Sequence, residues 1–168
     1  MRADAPASDD PIELLHSDRT AAREASDPNA GLSFVATVNA SGEPQVRTLV
    51  LRDIAIDGAR RLALFVNATS PKHTELDCSK TVSVLVYLPS GSLQYRLTCT
   101  LEPIEASIVH ESWQLRPPAP KRMDWLYETH PQTTAIGTRD ALLSAYEAIG
   151  DPEAAPPTAV GYVLVPSA

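Results

Sequence analysis

Between residues 32 and 101 the chain carries five short runs of strand-forming residues, each followed by a turn signal or a polar loop, a succession that fits an antiparallel sheet far better than a helical fold. In residues 32–38, Leu32, Phe34, Ala36 and Val38 alternate with Ser33, Val35 and Thr37. The turn-like segment 40–44 (Ala-Ser-Gly-Glu-Pro) leads into a second run at 46–51, so the first two strands are expected to form a hairpin. Asp57-Gly58 is another turn signal before a third strand at 62–66. A fourth at 81–87 is β-branched on both faces, and 89–92 turns the chain into a fifth at 93–101. There the alternation is clean: Leu93, Tyr95, Leu97, Cys99 and Leu101 share one face, Gln94, Arg96, Thr98 and Thr100 the other.

Helical signals flank this block. Asp10-Pro11 reads as a cap followed by the first helical position, with Glu13 completing a capping-box pattern, and the helix is expected to run to about Ala25 with an apolar side of Ile12, Leu14 and Leu15. Residues 67–76 read as a loop feeding a short helix, with Ser70 as N-cap and Pro71 in the first turn. Further helices are expected at 107–115, 122–127 and 138–149, the last closed by Gly150, with a Pro-rich break at 116–121. A linker-like stretch at 151–157 precedes a last strand at 159–165. Residues 1–9 read as a flexible tail and 10–168 as one domain. Fifteen prolines agree with many short segments, and 43% hydrophobic residues suffice for a core. The pattern predicts a mainly β protein: a small barrel with peripheral helices.

A net charge of −7 argues against general nucleic-acid binding, while leaving room for a local anion site. The apolar runs are too short to span a membrane, Met1 to Asp10 is polar with no signal-peptide pattern, and two cysteines make no disulfide framework, so a cytoplasmic protein is expected. Arg47 lies on a strand, and Ser70 and Lys72 open a short helix. A helix N-terminus, a forked guanidinium and an ammonium together suit a phosphate, though two solvated cations beside a capped helix give the same sequence. Gln94 could hydrogen-bond the edge of a heterocycle, or it could simply face solvent. No metal is expected, since His16, His73, His110 and His130 are scattered and no Cys-x-x-Cys occurs. Walker A, Gly-x-Gly-x-x-Gly and Gly-x-Ser-x-Gly patterns are absent too.

The ordered set Arg47-Thr48-Leu49-Val50-Leu51-Arg52, Phe65-Val66-Asn67, Thr69-Ser70-Pro71-Lys72 and Gln94 resembles the FMN-binding split barrel of the pyridoxamine 5′-phosphate oxidases and their relatives. Ser112 to Pro118, with Trp113 and Arg116-Pro117, is similar to the family's aromatic helix ending in Arg-Pro, and Gln132-Thr133 stands where the family has a Gln-Ser pair. The resemblance implies a split β-barrel homodimer that binds FMN, with the site at the subunit interface. By the same resemblance, Arg47 and Lys72 would hold the phosphate, and the backbone from Thr48 through Leu49, Val50 and Leu51 to Arg52 would line the ring. Phe65, Val66, Ser70 and Pro71 would form the near wall, Gln94 would bond the ring, and Gln132 and Thr133 would come from the second subunit. Arg52 and Arg116 are the candidates for an anionic small-molecule substrate, and no catalytic side chain is singled out, because the flavin itself carries the chemistry.

The chain departs from the resemblance at Arg52, where a Lys is usual, at Pro71, where a basic residue is common, and in having no Trp after Trp125. The expected function is an FMN-dependent oxidoreductase related to pyridoxamine 5′-phosphate oxidase, its substrate not fixed by the sequence. The alternative is a non-catalytic flavin- or ligand-binding split barrel.

Overall fold

The computed structural model describes residues 10–167, so the tail expected at 1–9 lies outside the described residues. Helix α1 (Pro11–Glu24) opens with Asp10 as its cap, the carboxylate accepting from the Ile12 amide at 2.8 Å. Seven strands follow: β1 (Leu32–Val38), β2 (Pro44–Val50), β3 (Arg52–Ile56), β4 (Ala59–Asn67), β5 (Thr81–Leu88), β6 (Leu93–Pro103) and β7 (Ala159–Pro166). Between them lie α2 (Pro71–Cys78), α3 (Ala106–Gln114), α4 (Pro118–Leu126) and α5 (Arg139–Ala148). The strands form one antiparallel sheet in the order β2-β1-β5-β6-β7-β4-β3. It curls around a core of Val35, Leu62, Leu64, Val66, Val82, Val84, Val86, Cys99 and Leu164, the half-barrel with peripheral helices that the strand pattern implies.

Three local readings are corrected. The sequence yields six strands, but β3 makes a seventh, because the run at 46–51 breaks at Leu51. The Leu51 amide leaves the sheet for the Gly31 carbonyl (2.9 Å) and its own carbonyl is taken by Arg19 (2.6 Å), so the chain passes from one sheet edge, β2, to the other, β3. Asp57 and Gly58, both at positive φ, then close the β3–β4 hairpin. The alternation in β1 leaves its inner face open, and the structure buries Ser33, Val35 and Thr37, so Phe34 and Ala36 face outward. In α1 the buried face is Leu15, His16, Arg19 and Ala22, not Ile12 and Leu14. Helix α4 begins at Pro118, inside the stretch read as a break, because a proline among the first three positions lacks only an N–H that would have no helical partner.

A second, smaller core forms on the outside of β4 and β7. Ala63, Val163, Ile104 and Val109 pack there with Phe65 and Ile108, which seats α3 against the sheet. Strand β4 is thus buried on both faces, and its C-terminal end is roofed by α3 and α4.

Candidate functional site

The β4 end opens into a cavity of about 470 Å³ walled by Leu49 of β2, Phe65, Val66 and Asn67 of β4, Lys72 of α2 and residues of α4. Asn67 organises this corner. Its amide donates to Thr158 Oγ1 at 2.8 Å, and its Oδ1 accepts from the Thr69 amide at 2.8 Å and the Thr69 hydroxyl at 2.6 Å. It thereby ties the end of β4 to the loop before α2 and to the start of β7. Phe65 lies across Gly161 of β7, where a Cβ would meet the ring at 3.0 Å, so the glycine gives the ring its seat.

One end of the cavity is cationic. Arg47 points inward with Leu49, donating to Thr37 Oγ1 and to Glu75 Oε2 (2.5 Å). Lys72 donates to Gln132 Oε1, a neutral acceptor. Burial, then the charge of Arg47, lowers the Lys72 ammonium, with Glu75 opposing. Two cations against one carboxylate leave this half-buried end with an excess positive charge, which fits an anionic group such as a phosphate. Ser70 occupies the N-cap position of α2, but its hydroxyl donates to the Asn67 carbonyl at 2.6 Å and does not cap the helix. The serine therefore braces the loop.

The other end holds Arg52 and Arg116. They line an inner pocket behind Phe65, together with Trp113 and Asp124, and Arg116 reaches the main cavity as well. Arg52 lies over the Phe65 ring at 5.8 Å. The Asp124 carboxylate is 3.1 Å from Arg116 and accepts from Trp113 Nε1 at 2.9 Å.

Of the residues singled out in the sequence, Leu49, Phe65, Val66, Lys72, Arg116 and Gln132 meet around the cavity, with Arg52 adjoining and Arg47 flanking Lys72 through Glu75. The strand alternation turns Thr48 and Val50 to the outer face, and Leu51 is buried in the core. Pro71 and Thr133 are exposed. Gln132 was expected from a second subunit, yet it bonds Lys72 of its own chain. Gln94 is on the outer sheet face, beside Arg96 in a different hollow, and one chain alone does not bring it to the cavity. Asp124, Met123 and Tyr127 were not anticipated. They lie on or just after a proline-led helix whose placement depends on long-range contacts. Among the described residues, no group of three His, Cys, Asp or Glu side chains could hold a metal, and no helix is long and apolar enough to cross a membrane.

Residues 14–105 match the family described as pyridoxamine 5′-phosphate oxidase, FMN-binding domain. The chain is 30% identical over 152 residues to a pyridoxine/pyridoxamine 5′-phosphate oxidase of Bordetella avium, covering 89% of this chain and 69% of that protein. It is 31% identical over 140 residues to the Shewanella sediminis protein of the same name, covering 82% and 62%. Against the second relative, therefore, the chain spans less than two thirds of the length. Two solved structures share the fold. PhzG from Burkholderia lata, in complex with tetrahydrophenazine-1-carboxylic acid, has a TM-score of 0.81 at 24% identity, covering 96% of this chain and 78% of that one. A pyridoxamine 5′-phosphate oxidase-related, FMN-binding protein from Nostoc punctiforme has a TM-score of 0.75 at 21% identity, covering 95% and 82%. The curled seven-stranded sheet is the split barrel of these proteins, and the chain belongs to the pyridoxamine 5′-phosphate oxidase FMN-binding domain family.

Proposed function

We propose that the cavity holds FMN and that the protein is an FMN-dependent oxidoreductase acting on a small anionic molecule. The observation that carries this reading is Lys72: a half-buried ammonium bonded to a neutral amide, beside Arg47, at the end of an apolar-walled cavity in a chain of an FMN-binding family. Arg47 and Lys72 hold the phosphate. The backbone of residues 48–52, with Phe65 and Val66, lines the ring, and Ser70, Pro71, Gln132 and Thr133 close the near wall. FMN supplies hydride or electron transfer when bound; the chain binds it, orients it and places Arg52 and Arg116 toward the substrate.

The reading includes a homodimer in the cytoplasm. The outer faces of β1, β2 and β5 expose apolar side chains that a monomer leaves in water, among them Val46 (73% exposed), Val50 (55%), Val38 and Tyr87, with the polar face of β6 beside them. Pairing two copies through this face covers these residues and presents Gln94 to the partner's ring.

Absorption spectra before and after adding FMN and removing the excess test the cofactor. Retention of a flavin spectrum is expected, and a colourless protein that retains none refutes the reading. Arg47→Ala should weaken FMN binding roughly tenfold or more, whereas Arg61→Ala at the exposed N-terminal end of β4 should not. Equal losses would sink the phosphate assignment. Light scattering should give the mass of a dimer, shifted toward monomer by Val46→Asp, and a monomeric wild type refutes the pairing.

A further inference from the structure

The inner pocket behind Phe65 departs from a plain anion site in two ways. The first is charge. Arg52 and Arg116 bring two cations, and Asp124 sets one carboxylate against them, 3.1 Å from Arg116. Asp124 is held there by Trp113 Nε1 at 2.9 Å, and burial pushes its carboxyl above the ordinary range, with Arg116 opposing. Among the described residues Arg52 makes no ion pair, and Arg116 Nε is buried without a hydrogen-bond partner. The pocket therefore offers donors to an incoming anion with one positive charge left over. The second departure is size: the pocket is small, about 20 Å³, where roughly 10–15 Å³ holds one water.

We infer that Asp124 is a specificity-determining residue, making the Arg52–Arg116 subsite selective for a planar monoanion, a carboxylate, over a phosphate monoester. A carboxylate accepts from Arg52 and from Arg116 Nε and is matched by the single excess charge. A phosphate dianion brings one negative charge more than the pocket balances and lies against the Asp124 carboxylate, with no second free cation to compensate. The inference rests on the reading of the cavity as the substrate site.

Benzoate and phenyl phosphate share a ring and differ in the anionic head. Both are titrated calorimetrically about two pH units above the second phosphate pKa of roughly 6, so that the ester is a dianion. The titration is run on FMN-saturated protein and on an Arg47→Ala, Lys72→Ala variant, in which phenyl phosphate has no alternative anion pole. The wild-type subsite should favour benzoate by about tenfold or more, and Asp124→Asn, which keeps the Trp113 hydrogen bond, should raise phenyl phosphate affinity by about tenfold. Arg52→Gln should abolish the benzoate response. The inference is overturned if phenyl phosphate binds more tightly than benzoate, if benzoate fails to bind at millimolar concentration, or if Arg52→Gln leaves binding intact. It is equally overturned if Asp124→Asn and Asp124→Ala, folded by their melting curves, both leave the ratio unchanged. Failure of the wild type to retain FMN, with the carboxylate preference intact on the double variant, would refute the cofactor and leave the subsite standing.

Discussion

Replacing Arg19 by Met tests whether a buried charge clamp sets the break that divides β2 from β3. Arg19 is fully buried under α1. It donates to the Leu51 carbonyl at 2.6 Å, the Ala30 carbonyl at 3.2 Å and Asp53 Oδ1 at 2.8 Å. Met preserves most of the apolar stem and removes all three donors. The two carbonyls then lose their partner, at about 1–3 kcal/mol for each buried polar group left unpaired. Asp53 is better protected, since His16 (2.8 Å), Arg23 (2.7 Å) and Arg60 (3.4 Å) still face it. The two carbonyls therefore set the loss at about 2–6 kcal/mol, or a drop in Tm of roughly 4–24 °C for a domain of this size. Urea unfolding at neutral pH measures it.

Acid separates the two contributions to this loss. Burial would raise the Asp53 carboxyl, but Arg19 foremost, then Arg23 and Arg60, hold it below its ordinary value of 3.8. A depressed carboxyl stabilises the fold above its unfolded pKa and loses that contribution as pH falls through the lower folded value. The gap between wild type and Arg19→Met should accordingly narrow below about pH 3.8, leaving the share that belongs to the two carbonyls. A neutral-pH loss under about 0.5 kcal/mol, or a gap that widens in acid, would show that Arg19 does not clamp the break. Because Leu51 connects the strands that carry Arg47 and Arg52, the variant should also retain FMN less well than wild type.

Gly161→Ala should shift the Phe65 ring, which a Cβ would meet at 3.0 Å, and so reduce FMN retention more than it lowers Tm; unchanged binding would show that the ring does not wall the site. Thr133 sits at φ +65°, a costly conformation for a β-branched residue, so Thr133→Gly should raise stability by about 1 kcal/mol, and a destabilised variant would show that the strain reading is wrong. Burial pushes the Cys99 thiol up to about 11, whereas Cys78 is exposed. Alkylation near pH 8 followed by mass analysis should modify Cys78 alone in the folded protein and both residues after denaturation. Rapid labelling of Cys99 in the native state would contradict its packing.

Most of the secondary structure was legible because its signals are local. The alternation from Leu93 to Leu101 places Cys99 and Leu97 inward and Gln94 and Arg96 outward, as β6 does. Asp10 caps α1, and Thr138 caps α5 by accepting from the Ala141 amide, as short-range chemistry dictates. The cationic candidates also came from local pattern: Arg47 on a strand and Lys72 one residue into a helix meet beside one cavity.

What escaped the sequence reading depends on partners far along the chain. Nothing near Arg19 announces that it will be buried, since the carbonyls and carboxylate that satisfy it lie 11 to 34 residues away. In β1, period two gives two candidate faces, and the choice of Ser33, Val35 and Thr37 as the inner one follows from how the sheet curls, with Thr37 donating to Glu75 of α2 at 2.5 Å. Asp124 looks like any helical carboxylate until α4 folds over β4 and sets it between Arg116 and Trp113. Six of the seven strands and the Asp10 cap follow from the sequence alone, because hydrogen-bond geometry and side-chain period act over a few residues. Only the tertiary structure decided which polar groups leave water, since burial depends on what the rest of the chain brings to meet them.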